Sequence, residues 1–385
     1  MRDVGSTYEV AFGLKPLSKL NDPKEVIRQF TPNWFAASMG TGILALALAQ
    51  VPYGGSALRT IGEGLWLINI VLFGLFSVLY TSRWIFFFEG ARRIFGHSMV
   101  SMFFGCIPMG LATIINGFVI YGLPRWGDLA IGIAETLWWL DLLGAFLCGV
   151  TIPFLMFTRQ KHSIDQMTAV WLLPVVAAEV AAASGGVLAP HLASSSTQLL
   201  VVVFSYVSWA LSVPLAMSIL VILVLRMAIH KLPSANLAAS SWLALGPIGT
   251  GALGMLTLGA ASPAIFTAHG IQGAAGVAQG MGQVTGLLLW GYGLWWLATA
   301  VLITRHYFRG NVPFNLGWWG YTFPLGVYAL VTLRLYVVFP IRFFSIVGTT
   351  LVAALAVLWL VVAVLTVRGA WRGELFVSPC LQGDA

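Results

Sequence analysis

Charge is what this sequence has least of. Only 9% of its 385 residues are Asp, Glu, Lys or Arg and 59% are hydrophobic, whereas soluble domains carry about 25% charged residues. The 20 basic and 13 acidic side chains cannot coat a soluble particle of this length, which excludes a water-soluble enzyme and leaves an integral membrane protein. Cysteine is also scarce. Cys106, Cys148 and Cys380 stand far apart, and the first two lie in apolar runs as small packing residues, so neither a disulfide framework nor a metal site is implied. The histidines, His97, His162, His191, His230, His269 and His306, contain no pair at the i, i+4 spacing of a helical metal site. No nucleophile with its base and no paired carboxylates stand out in the apolar runs, so the chain reads as no enzyme and as needing no cofactor. A net charge of +7 is spread singly over short connections, with no basic stripe interleaved with aromatics, so nucleic acid is not an expected partner.

What the chain does have is apolar length. Runs near 33–50, 62–82, 98–121, 128–156, 167–189, 197–225, 242–262, 276–303, 318–339 and 343–366 predict ten transmembrane helices; a hydrocarbon core of about 30 Å takes roughly 20 helical residues. Stretches such as Leu199-Leu200-Val201-Val202-Val203-Phe204 do not alternate, which sets aside a β-barrel. The expected divisions are a polar tail over 1–31, with no cleaved signal peptide, a membrane domain over 32–366 and a second tail over 367–385. With the N-terminus inside, sixteen Lys and Arg fall on the inner side, against Arg59, Arg125, Arg334 and Arg342 outside. Positive charge is retained in the cytoplasm, so both termini are expected there, in a plasma (inner) membrane.

Gly40, Pro108, Pro174, Pro247 and Pro324 fall in the first, third, fifth, seventh and ninth spans, separated by 68, 66, 73 and 77 residues. That spacing is one helical hairpin per repeat. Proline removes a backbone donor and glycine admits close approach, so five interrupted helices can bend around a shared axis. The repeat is imperfect, since Pro153 and Pro214 fall in even spans and the first span has Gly40 and Gly42 in place of proline.

Few polar groups lie at hydrocarbon depth, and each is a functional candidate there. Thr113 and Asn116 follow Pro108 and read either as hydrogen-bond donors to a passing anion or as interhelical packing. Glu179 follows Pro174 and reads either as a proton-coupling group or as a structural carboxyl; Glu135 and Asp141 are six residues apart on one span, about 120° around a helix, and are not one paired site. Asp141 reads as a structural partner for another helix. Gly40-Thr41-Gly42 and Gly246-Pro247-Ile248-Gly249-Thr250-Gly251 read either as breaks that turn backbone N–H groups toward an anion, in a path without obvious Lys or Arg, or as close packing of small residues. Phe323, just before Pro324, reads either as an interfacial aromatic or as a plug in a bundle lumen.

Taken in order, six segments resemble the tellurite-resistance/dicarboxylate transporter family, which includes malate permeases, sulfite efflux pumps and slow anion channels. They are Phe30-Thr31-Pro32-Asn33-Trp34-Phe35 with Met39-Gly40-Thr41-Gly42-Ile43; Pro108 through Asn116; Leu137-Trp138-Trp139-Leu140-Asp141-Leu142; Leu173-Pro174-Val175-Val176; Gly246 through Gly251; and Gly317 through Gly326. The resemblance implies an all-α membrane protein of five hairpins in quasi-five-fold arrangement around a central pore lined by the odd-numbered helices, commonly a homotrimer with one pore per subunit. In related channels a phenylalanine before the proline of the ninth helix occludes the pore, and Phe323 holds the matching position. The segments look most like the sulfite efflux branch. The expected cargo is therefore sulfite, a small inorganic anion; the alternatives are a C4-dicarboxylate such as malate, possibly proton-coupled, and a gated anion channel.

Overall fold

The computed structural model describes residues 16–381. The first fifteen residues of the expected N-terminal tail, with Arg2 and Lys15, and residues 382–385 of the expected C-terminal tail lie outside the described residues. Among the described residues there is no strand. Ten principal helices run in order: α1 (Phe35–Leu48), α2 (Gly55–Phe86), α3 (Cys106–Gly117), α4 (Asp128–Thr158), α5 (Leu173–Leu188), α6 (Ser195–His230), α7 (Leu245–Ala268), α8 (Gln272–Tyr307), α9 (Phe323–Val338) and α10 (Arg342–Arg372).

Among the described residues, nine helical spans are long and apolar enough to cross a membrane, and α1 is not one of them. Its 14 residues rise only about 21 Å at 1.5 Å per residue, shorter than the span expected over 33–50. The reason is its setting. All 14 residues of α1 are buried against protein, so its ends meet other helices and not lipid, where irregular backbone is tolerated. The same division separates odd from even helices. Buried residues make up 94% of the most apolar window of the span that contains α5, against 22% in α2 and in α10. The even helices instead expose Val71, Phe154, Phe157, Val221, Leu288 and Val364, an apolar surface suited to acyl chains.

Packing follows sequence order. Each odd helix packs on the even helix after it, and α1 packs on α3, α3 on α5, α5 on α7, α7 on α9 and α9 on α1.

The repeated prolines act differently from the expected mid-span breaks. Pro174 and Pro324 stand in the first turn of α5 and α9, and Pro108 and Pro247 are the third residues of α3 and α7. A 3-10 segment or a short helix leads into each: Val100–Gly105, Ala169–Leu172, Ser240–Leu243 and Leu316–Tyr321. A first turn has N–H groups with no intrahelical partner, so proline's missing donor costs nothing there and marks where the α-helix begins. In the first repeat the proline is Pro32, which opens the 3-10 turn Pro32–Trp34 before α1; Gly40 lies mid-helix and is not its equivalent.

α10 continues past the apolar run to Arg372 and stops at Gly373, whose φ of 81° only glycine adopts cheaply. The chain then folds back over the N-terminal ends of the odd helices. Phe376 stacks on Trp34 with ring centroids 5.0 Å apart, and the Ser378 amide donates to Gln29 Oε1 at 2.8 Å. The Gln29 amide, followed by the Arg28 guanidinium, holds the Glu25 carboxyl below the usual range.

Candidate functional site

Two cavities lie at opposite ends of the odd helices. The tail-side cavity, about 310 Å³, is lined by the N-terminal parts of these helices or by the turns leading into them, including Met39, Cys106, Leu173, Leu243 and Phe323. Leu375, Val377 and Pro379 of the C-terminal segment close over it, and Glu374 is its one charged lining residue. The far-side cavity, about 650 Å³, takes lining residues from the C-terminal parts of all five odd helices: Leu46, Asn116, Gly186, Thr257 and Arg334 each come from a different one. No residue lines both cavities. Between them, on the same helices, Ile43, Met109 and Val327 are buried.

The expected pathway residues divide accordingly. Phe323 and Pro324 line the tail-side cavity and Asn116 lines the far-side one. Gly40, Thr41, Gly42, Pro108, Thr113, Pro174, Glu179, Pro247, Gly249 and Gly251 line neither. Gly246 falls in the first turn of α7, whereas Gly40-Thr41-Gly42 lies inside α1 and Gly249-Thr250-Gly251 lies past the first turn of α7, so the N–H groups of these two triplets serve the helix ladder. The glycines admit neighbours instead. A Cβ on Gly40 would stand 2.3 Å from Thr322 Oγ1 and 2.5 Å from the Trp319 ring, and one on Gly42 would stand 2.0 Å from Thr113 Oγ1. Gly249 and Gly251 meet Val327 and Val213 less closely, at 3.1 and 3.2 Å.

Three polar groups join helices. Asn69 of α2 accepts from Ser38 Oγ at 2.7 Å through Oδ1 and donates to Thr113 Oγ1 at 2.9 Å through Nδ2, tying α1, α2 and α3 together. Thr41 Oγ1 accepts from Trp359 Nε1 of α10 at 3.0 Å, away from α3 and α5. Asn116 Nδ2 donates to Ser184 Oγ of α5 at 3.1 Å, while its Oδ1 has no partner. Just beyond it the helix widens into a π-helical turn, Phe118–Gly122, and Tyr121 Oη donates to the Ala45 carbonyl at 2.5 Å.

Glu179 is fully buried between α5 and α7. Thr250 Oγ1 donates to its Oε1, and its Oε2 has no partner. Asp141 does not act as the helix-to-helix partner its position suggested: it is buried, and neither carboxylate oxygen has a hydrogen-bond partner.

Two arginines counted with the connections prove to be inside the protein. Arg83, in α2, is fully buried, and its guanidinium donates to the carbonyls of Phe30 and Gly90 at 2.5 and 3.4 Å and to Ser378 Oγ at 3.1 Å. Arg334 lies within α9, half-buried, on the wall of the far-side cavity. The far-side cavity wall therefore carries basic side chains, Arg59 and Arg334. The signal was available in spacing: Arg334 falls inside the ninth apolar run, with Leu333 and Leu335 beside it.

Residues 29–367 match the family described as SLAC1, voltage-dependent anion channel. The chain belongs to the SLAC1 family. The kinship read from the six motif segments is thereby shown. Within it, the chain is 38% identical over 352 residues to the sulfite efflux pump SSU1 of Arthroderma benhamiae, covering 91% of this chain and 93% of that protein. It is 29% identical over 355 residues to an uncharacterized transporter of Methanocaldococcus jannaschii, covering 91% and 96%. A more distant relative is the malic acid transport protein of Schizosaccharomyces pombe, 22% identical over 359 residues, covering 91% and 80%. As a SLAC1-family protein the chain is a multi-pass membrane protein of an anion-transporting class, and its relatives are named as transporters and not as enzymes.

Proposed function

We propose that this SLAC1-family protein exports sulfite through a pore along the axis of five helical hairpins, lined by α1, α3, α5, α7 and α9 and closed at Phe323. The observation that carries the pathway is that all five buried helices, or the turns leading into them, supply walls to both cavities. Phe323 stands at the inner end of that path, 4% exposed, where a rotamer change of one ring opens or shuts it. The cargo reading is supported by the 38% identity to a sulfite efflux pump over nearly its whole length, against 22% to the malic acid protein.

In this reading both termini are cytoplasmic, so the tail-side cavity opens to the cytoplasm and the far-side cavity outward. The protein sits in the plasma membrane as a homotrimer with one pore per subunit, its even helices facing lipid and neighbouring copies. A negative-inside potential then drives anion exit with about 2.3 kcal/mol per charge per 100 mV, enough for downhill export. Enclosure of Glu179 away from both cavities favours uncoupled flow over proton coupling at that carboxyl.

Proteoliposomes at an imposed potential, offered sulfite, malate, nitrate and chloride in turn, test the cargo. Fastest flux of sulfite is the expected outcome. Faster malate flux would move the protein to dicarboxylate transport, and equal flux of all four would make it an unselective channel.

A further inference from the structure

α9 buries 12 of its 16 residues, and Arg334 is the one charged residue among the rest. It is a permanent cation, half-buried, whose Nε has no hydrogen-bond partner, and among the described residues no ion pair includes it. A partly desolvated charge without a partner is costly. The remaining ionisable groups on the far-side cavity wall are Arg59 and His191, and no carboxylate lines it. Arg59 is already engaged: it donates to the Ile120 carbonyl at 2.5 Å and sits over the Tyr121 ring, 5.5 Å from its centroid. Arg334 is thus the free guanidinium of a positively charged chamber.

Asn116 supplies a second group. Its amide is bonded to Ser184 on one side and leaves a buried Oδ1 orphaned on the other. A serine hydroxyl donates as readily as it accepts, so the amide turned over satisfies its oxygen on Ser184 and frees Nδ2 as a donor.

From this geometry we infer that Arg334 is the fixed cation of an oxoanion-binding site in the far-side cavity, with Asn116 as an amide donor. Its ligand carries two oxygens on one centre, as sulfite and carboxylates do. The planar fork of a guanidinium pairs with two such oxygens at once, which a spherical halide cannot match. The inference rests on the export reading for its place in the cycle: an anion that has passed Phe323 is held here before release. The two cavities differ in charge, since Glu374 is the one charged residue lining the tail-side cavity, while the potential sets the direction of flow.

The test is ligand-induced stabilisation of the purified full chain, titrated with sodium sulfite, sodium malate and sodium chloride at constant ionic strength. Wild type should be stabilised by sulfite well below the chloride concentrations that act. Arg334→Gln should weaken the apparent sulfite affinity by about tenfold or more, as expected for loss of a charge-assisted pair. Arg334→Lys, which keeps the charge and guards against misfolding, should bind but lose discrimination against chloride. Sulfite binding in a folded Arg334→Gln equal to wild type, or no stabilisation of wild type by sulfite or malate, would overturn the site. Stabilisation by malate alone, lost in Arg334→Gln, would uphold the site as an oxoanion site and overturn sulfite as the cargo.

Discussion

Phe323 and Arg334 stand on the same helix and line different cavities. Their separation of eleven residues is about 16 Å along the axis at 1.5 Å per residue. One helix therefore carries an aromatic ring on the tail-side cavity and an unpaired cation on the far-side one. Ile43, Met109 and Val327, which fall between the cavity-lining positions along their helices, are buried, and no residue lines both cavities.

Close packing at Gly42 is expected to dominate its substitution. A Cβ there would stand 2.0 Å from Thr113 Oγ1 and 2.4 Å from Thr113 Cβ, whereas a Cβ on Gly74 meets nothing within 4 Å. Gly42→Ala should cost about 1–3 kcal/mol, and Gly74→Ala should stabilise by up to about 1 kcal/mol. Unfolding in detergent followed by tryptophan fluorescence compares them, and equal stabilities would contradict the tight α1–α3 contact.

Asn69 is expected to behave as a structural hub with no part in the path. Asn69→Ala removes both its bonds, to Ser38 and to Thr113, and should lower stability by roughly 1–2 kcal/mol, at about 0.6 kcal/mol or more per interhelical bond. Sulfite flux per folded molecule should stay within about twofold of wild type, since the bond energy is spent between helices. A large change in the relative rates of sulfite and chloride would instead place this network on the pathway.

Glu179 separates uncoupled export from proton coupling. Its carboxyl is enclosed with Thr250 and lines neither cavity, so Glu179→Gln, which preserves shape, should leave the pH profile of sulfite flux unchanged. A flattened profile in that variant would assign Glu179 a proton-carrying step.

Much of the architecture was legible because lipid demands long apolar helices and because proline can occur cheaply only at a helix start. The runs at 62–82, 128–156 and 343–366 mark α2, α4 and α10, and the evenly spaced prolines mark α3, α5, α7 and α9. The same marks misplaced the breaks, since hydropathy does not distinguish a kinked helix from a 3-10 turn feeding a new one. The site was harder to read. Asn69 and Asn116 are both isolated polar residues in apolar runs, and only the packing shows that one joins three helices while the other opens onto a cavity. Arg334 was concealed by topology counting, which treats every basic residue near a span end as loop charge although this one stands between Leu333 and Leu335 inside α9.

If anions cross between the two cavities past Phe323, electrogenic sulfite flux through Phe323→Ala in proteoliposomes at fixed potential reports it most directly. Removing the ring should raise flux about tenfold, the effect of lowering a barrier by about 1.4 kcal/mol, with elution on size exclusion unchanged. Flux equal to wild type in well-folded Phe323→Ala protein would contradict the account.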